Sequence, residues 1–426
     1  MLFRSKLTYH TVKKLAKTLR EANFKVQIAG TLTDGVLTIM DVSEKEAAPL
    51  YGCAIDIGTT TVTGVLMDLK TGTLTAKASA GNGQIRYGAD VINRIVEQGK
   101  PGGTKRLQDA ILKETLLPLV AAMCKSAGIS VSRVFRVCIA SNTTMNHLLL
   151  GVDANPVRME PYIPTFFQWR GMTAKDLGFP ANPDAEILLA PNIGSYVGGD
   201  ITAGAFTSLI WDKDEFSLFI DLGTNGELVF GNRDFMMSCA CSAGPAFEGA
   251  GISCGSSACE GAINTVAVAD GHVVYTTIGD GPAQSICGSG LIDAVAALLQ
   301  VGEILPKGRF RERGAASVPI GDSGLTLTRN DIAQLLLAKG AIRAGMDTLL
   351  QHCKVEYQDL DHIVFCGGFG SYIDPHSAEL IGLIPPGFAG KTIAIGNAAG
   401  TGASRILQSK QLEREAMGIA TKAHAV

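Results

Sequence analysis

Apolar positions first recur at helical spacing. Val12, Leu15, Ala16 and Leu19 share one face, and Lys13, Lys14, Lys17 and Arg20 lie opposite. Phe24-Lys-Val-Gln-Ile then alternates as a strand does, Thr33-Asp34-Gly35 supplies a turn, and Val36-Leu-Thr-Ile-Met returns. This α-β-β module, residues 1–50, is too small to stand alone and is expected to pack on its neighbour. From Gly52 the pattern predicts strands around 52–57, 62–68 and 73–79, a helix Ala89–Gln98 and a longer helix Thr104–Lys125. A buried strand over Val134–Ile139 follows, then a helix Thr143–Leu150 entered through Ser141-Asn142. Beyond a loop rich in proline and aromatics, 155–169, come a strand Glu186–Leu189 and a helix opening near Gly198. Strands near 216–221, 226–231 and 234–239 repeat the opening. Helices Gly290–Val301, Asn330–Leu350 and Asn397–Gln408 and a strand His362–Phe365 complete the pattern. The repetition is of topology rather than sequence. It predicts an α/β chain with two similar lobes, 51–210 and 211–408, and a tail, 409–426.

Composition narrows the classes. The chain is 46% hydrophobic and 18% charged over 426 residues, enough apolar material for two or three cores and little for disorder. A formal net charge of −3 makes no electrostatic case for nucleic acid or an anionic membrane. The N-terminal Met1-Leu-Phe-Arg-Ser-Lys has no apolar signal segment, and the stretch Leu291–Leu305 is too short to span a bilayer. A cytoplasmic setting follows, in which the ten cysteines are reduced thiols. Cys239-x-Cys241 and Cys254-x₄-Cys259 share one glycine-rich region, but no C-x₂-C pair occurs and no histidine stands at ligand spacing. No iron–sulfur cluster is therefore expected in this chain.

The chemistry is carried by two short segments, Asp56-Ile-Gly-Thr-Thr-Thr and Asp221-Leu-Gly-Thr-Asn-Gly-Glu. Each follows an apolar β-rich run, so each sets an acid at the end of a strand, ahead of glycine and hydroxyl residues. Gly58, Thr59, Thr60 and Thr61 in the first, and Gly223, Thr224 and Asn225 in the second, offer backbone N–H groups and hydroxyls to phosphate oxygens. Asp56 and Asp221 are the candidates for holding magnesium or its waters. A single Gly-Thr turn is usually hairpin punctuation, whereas an ordered pair implies two lobes gripping one nucleotide. Gly367, Gly368, Phe369 and Gly370, after a strand, would let backbone approach adenine and ribose. Gly396–Gly400 opens a helix with small residues, for which tight packing is an equal explanation. Lys339 and Arg343 lie one turn apart, and Lys339 is the better candidate for reaching nucleotide. A water attacking a γ-phosphoryl group needs a carboxylate. Asp200 is the first candidate; Glu248, in a stretch whose Gly244 joins the cofactor-binding glycines, competes with it. Capping or structural roles are open for both acids.

In this order, the motifs resemble those of the superfamily of acetate and sugar kinases, heat-shock chaperone ATPases and actin. That resemblance implies a two-lobed actin-like, ribonuclease H-like ATPase fold. Within it, the sequence is similar to the ATP-dependent reductive activators of corrinoid proteins. The likeness is carried by Tyr51–Val62, Tyr87–Ile95, Ser141–Gly151, Asp221–Glu227, Ala243–Gly249, Ile286–Asp293 and Gly396–Ala399. Residues 8–42 also look like the end of that family's middle domain. The resemblance implies ATP and Mg²⁺ as cofactors and a corrinoid protein or cobalamin-dependent methyltransferase as partner, returned from Co(II) to Co(I). Two departures stand out. The C-x₄-C-x₂-C pattern of a plant-type ferredoxin domain is absent: either the form is naturally short, with electrons expected from a separate low-potential donor such as a ferredoxin, or the reading frame is truncated. Ser141 stands where the family leads one to expect glycine. A small-molecule kinase, an activator of an iron–sulfur dehydratase-type enzyme and a nucleotide-switched binding module are the alternatives; a homodimer is left open.

Overall fold

The apolar run Tyr51–Ile57 forms a strand in which every residue except Asp56 is buried, as expected of a strand covered on both faces. In the computed structural model, which describes residues 4–33, 35–44, 49–368 and 370–426, this strand is central to a six-stranded sheet. The turn residue Asp34 and the candidate Phe369 lie outside the described residues. The sheet order is Leu74–Gly81, Thr61–Asp68, Tyr51–Ile57, Val134–Ser141, Glu186–Leu189, Met172–Thr173. The first three strands form antiparallel hairpins, and the next two run parallel to Tyr51–Ile57.

A second six-stranded sheet has the order Thr392–Ala394, His362–Cys366, Ser217–Leu222, Gly226–Gly231, Met236–Cys241, Ala423–Ala425. Counted from the Asp-bearing strand, the plan is the same: two antiparallel hairpin partners on one side, two parallel strands on the other. The expected repeat of topology is therefore present, and the chain has the two-lobed actin-like α/β fold. The chain divides into two units, residues 1–203 with 399–420, and residues 204–398 with 421–426. Cys53, Ile55, Val62, Leu107, Leu119, Val137 and Ile139 contribute to the core of the first. Leu218, Ile220, Phe230, Phe247, Leu291, Ile342 and Phe365 contribute to that of the second.

Some elements depart from the pattern for identifiable reasons. The helix expected over 104–125 arrives as Gly103–Ile111, a π-helical turn Leu112–Leu116, and Leu117–Ser126. Pro118 has no N–H for the carbonyl four residues back, and the Thr115 hydroxyl bridges the wider turn by donating to Ala110 O at 2.8 Å. The polar segment Arg4–Leu7 adds a strand parallel to Val36–Ser43, which gives the module order Arg4–Leu7, Val36–Ser43, Gln27–Thr33. The tail holds a helix, Lys410–Lys422, and a strand, Ala423–Ala425, parallel to Met236–Cys241. Among the described residues, no helix is long and apolar enough to cross a membrane.

The Lys410–Lys422 helix is anchored by charge as well as by buried Ala416 and Ile419. Buried Glu413 accepts from Arg136 at 2.7 Å and from Lys410 at 3.0 Å, and Arg136 also donates to Leu407 O at 2.9 Å. Removing one member of such a buried set strands its partner. Glu413→Ala should therefore cost about 3–5 kcal/mol in the first unit, read as a lower urea midpoint for the transition that reports it. An unchanged midpoint would show that the cluster carries no net stability.

Candidate functional site

The two Asp-Gly-Thr segments close equivalent hairpins. In the first unit, the turn between Tyr51–Ile57 and Thr61–Asp68 is drawn in by Gly58 N donating to Thr61 O at 3.0 Å. A Cβ at Gly58 would meet that same oxygen at 2.7 Å, so the turn requires glycine. In the second unit, Gly223 N donates to Asn225 O at 3.0 Å within the turn between Ser217–Leu222 and Gly226–Gly231. Asp56 and Asp221 each occupy the penultimate position of the central strand, half-buried, as the alternation of side chains requires.

Around Asp221 the second unit assembles an acidic pocket. The Thr224 hydroxyl donates to Glu248 Oε2 at 3.0 Å. Asp221 pairs in register with Cys366, and its carboxyl interacts with that side chain. Gly367, at φ +97°, lies so close that a Cβ would meet Asp221 Oδ1 at 2.7 Å. Gly244, at φ +77°, turns the chain into the short helical segment Pro245–Glu248 that presents Glu248. Burial, and then the charge of Glu248, push the Asp221 carboxyl up to about 6. Burial also raises Glu248, against the Thr224 hydrogen bond. Two acids held near one another at a cost form the donor set a hard cation takes. Mg²⁺ retains waters and needs only one or two carboxylates besides phosphate oxygens, so Asp221 fits it as a ligand and leaves Glu248 to act on a water. Among the described residues, no group of three or more His, Cys, Asp or Glu is placed to hold a metal by itself.

The other candidates are placed less alike. Asp200 sits in the first turn of the helix Gly199–Ser208, where its Oδ1 accepts from Ile201 N at 2.9 Å. Gly198 beside it is pressed against Asn142, where a Cβ would lie 2.4 Å from Cα. Lys339 donates to Ile381 O at 2.9 Å, at the end of the helix Pro375–Leu380, and burial lowers its pKa. Arg343 lies over the Tyr357 ring at 4.9 Å. Gly367 N donates to Gly396 O at 3.2 Å, which binds the two glycine motifs of the second unit together. The small residues of the last motif do permit close packing, one turn on: a Cβ at Gly402 would lie 2.1 Å from Ala203 O.

Several residues behind the first loop escaped the sequence reading. Asn82 Nδ2 donates to Gly58 O at 2.9 Å, Arg94 Nη2 to Thr59 O at 2.5 Å, and Asn142 Nδ2 to the Thr59 hydroxyl at 3.4 Å. Asn142 also caps the helix Thr143–Leu150 through Met145 N at 2.8 Å. Ser141, where glycine was expected, donates to Asn146 Oδ1 at 2.7 Å inside a buried network that continues to Asn192 and Gly199. The signal was available: Arg94 lies in the quoted stretch Tyr87–Ile95 and Asn142 at a visible helix entry, but neither had an assigned partner.

The chain is similar to known proteins over most of its length. A family model described as the C-terminal domain of RACo, the ASKHA domain, matches residues 215–426, and one described as the RACo middle region matches 51–212. Residues 1–50 lie outside both. The corrinoid activation enzyme RamQ of Eubacterium limosum is 36% identical over 403 residues, covering 88% of this chain and 67% of that protein. The [Co(II) methylated amine-specific corrinoid protein] reductase of Methanosarcina barkeri is 27% identical over 412 residues, covering 88% and 73%. Among solved structures, a reductive activator for a corrinoid, iron–sulfur protein superposes with a TM-score of 0.90 at 36% identity, over 100% of this chain and 71% of that one.

The raised Asp221 carboxyl sets a pH test of the apo-protein. An acid whose folded value, about 6, exceeds its unfolded value favours the folded state at low pH, and that contribution is lost as pH rises through 6. Asp221→Asn removes the penalty. Without nucleotide or metal, the variant should melt about 2–4 °C above the parent at pH 7.5, with the difference closing below about pH 4. A variant less stable at every pH would show that the carboxylate is already compensated.

Proposed function

The chain belongs to the RACo family of ATP-dependent reductive activators of corrinoid proteins, and on that premise we propose how its residues perform the activation. Its function is to restore an oxidised Co(II) corrinoid protein to Co(I), with ATP binding and hydrolysis driving a one-electron reduction that ordinary donors do not complete. The single observation that carries the residue-level reading is the acidic pocket of Asp221, Glu248 and Thr224 beside a glycine turn.

In this reading, the Gly58–Thr61 and Gly223–Asn225 turns hold phosphate oxygens, and Gly367, Gly368 and Gly370 give backbone access to the adenosine. Asp221 and Asp56 are assigned to the magnesium side. Bound Mg²⁺ would neutralise phosphate charge there. Glu248 is favoured over Asp200 for orienting the water: burial makes its carboxylate a stronger base than an ordinary glutamate, while Asp200 is engaged at its own helix start. The electron is assigned to a low-potential donor such as a ferredoxin. Coupling needs no contact between nucleotide and cobalt. It needs a nucleotide that binds two conformations of the protein unequally, and a corrinoid partner that fits only one of them.

The test is anaerobic visible spectroscopy of a Co(II) corrinoid methyltransferase with this protein, a low-potential reductant and Mg-ATP. The Co(I) band should appear only with ATP; its formation without nucleotide, or its absence under ATP turnover with RamQ-type partners, would contradict the assignment. Asp56→Ala and Asp221→Ala should each lower ATP hydrolysis about 10²–10³-fold with the fold retained, and undiminished turnover in both would remove the phosphate-site assignment. The apparent affinity for Mg²⁺ should weaken as pH falls below about 6, because protonated Asp221 is no ligand; a flat profile from pH 5 to 8 would exclude Asp221 from the metal.

A further inference from the structure

Arg94 is fully buried in the first unit, with no exposed surface. Buried guanidinium groups are ordinarily matched by a carboxylate. Here every acceptor is neutral: Gly88 O at 2.9 Å, Thr59 O at 2.5 Å, Gln84 Oε1 at 3.4 Å and the Met145 sulfur at 3.3 Å. Among the described residues, Arg94 has no ion pair. Asp90 acts on it only at a distance, and burial depresses even this strong base. A permanent positive charge is thus enclosed directly behind the Gly58–Thr61 turn, without its counter-ion.

The hydrogen bonds also fix the turn's orientation. In a trans peptide, the carbonyl of one residue and the N–H of the next point in opposite directions. Arg94 holds Thr59 O inward, so Thr60 N–H points away from it; Asn82 holds Gly58 O inward, so Thr59 N–H does likewise. Among the described residues, neither of these two N–H groups has a protein acceptor. Two adjacent unclaimed donors backed by a buried cation form a nest for an anion.

We propose that Arg94 is the positioning and charge-supplying residue of the first phosphate turn: it orients the Thr59–Thr60 peptide toward the nucleotide, and a polyphosphate is the counter-ion its guanidinium lacks. The proposal rests on the nucleotide reading given above and deepens it, since it assigns to Arg94 the preference for charged over uncharged adenine ligands. Neutral Gln84 is part of the device, because a carboxylate in its place would satisfy Arg94 internally.

Titration calorimetry of the full chain with Mg-ATP, Mg-ADP and adenosine tests this with Arg94→Gln and Gln84→Glu. The parent should bind ATP at least about tenfold more tightly than adenosine; if it does not, the nucleotide reading itself fails. Arg94→Gln keeps a donor to Thr59 O and removes the charge. Gln84→Glu keeps Arg94 and adds a counter-ion. Both should weaken ATP by roughly tenfold or more, ADP by less, and adenosine not at all. Gln84→Glu gives up the donor to Leu107 O but keeps Arg94 and its hold on Thr59 O, so a cooperative melting transition in this variant keeps the test decisive should Arg94→Gln fold poorly. Parental ATP affinity in Gln84→Glu, or equal losses for ATP and adenosine, would overturn the proposal.

Discussion

Two carboxyl groups, Asp221 and Glu248, share one half-buried site, and the cost of burying them sets the terms for the second unit. Burial raises both, and Glu248 adds to the cost of ionising Asp221. A fold tolerates such a pair only where surrounding structure holds it in place and a cation can relieve it. The holding is visible. The Ser217–Leu222 strand places Asp221 at its end, Gly244 turns the chain so that Glu248 returns to Thr224, and Gly367 leaves no side chain to displace the Asp221 carboxylate. In the proposed reading, a bound metal and phosphate would complete the site electrostatically.

The first unit solves the complementary problem. Its turn is backed not by an acid pair but by one neutral amide and one enclosed guanidinium, both aimed at backbone carbonyls. Because a peptide plane is rigid, fastening a carbonyl from behind orients a donor in front. The two turns share a hairpin plan and are supported by opposite charges.

Much of this was legible in the sequence, because it rests on local rules. The Asp-Gly-Thr turns, the buried central strands and the Thr143–Leu150 helix are written in periodicity and capping, and each lies where the pattern put it. What was not legible is long-range and polar. Glu413 seats the last helix through Arg136, 277 positions away. Arg94 reaches Thr59 across 35 positions. Neither contact leaves a hydrophobic trace, and a polar residue inside an amphipathic pattern reads as surface. Lys339 adds another such contact: its ammonium donates to Ile381 O across 42 positions. The Leu112–Leu116 π turn depended on how one proline would be accommodated, and that is decided by Thr115 after folding.

The central claim is that nucleotide and corrinoid partner bias one conformational equilibrium of this protein. Linkage makes this measurable as a reciprocity of affinities. The decisive experiment is the dissociation constant of Mg-ATP with and without saturating Co(II) corrinoid protein, alongside that of the partner with and without Mg-ATP. Both ratios should be equal and on the order of 5–150, the usual span of coupling between sites. Ratios of one, with both ligands bound tightly, would contradict the account, since a ligand that binds both states equally shifts nothing.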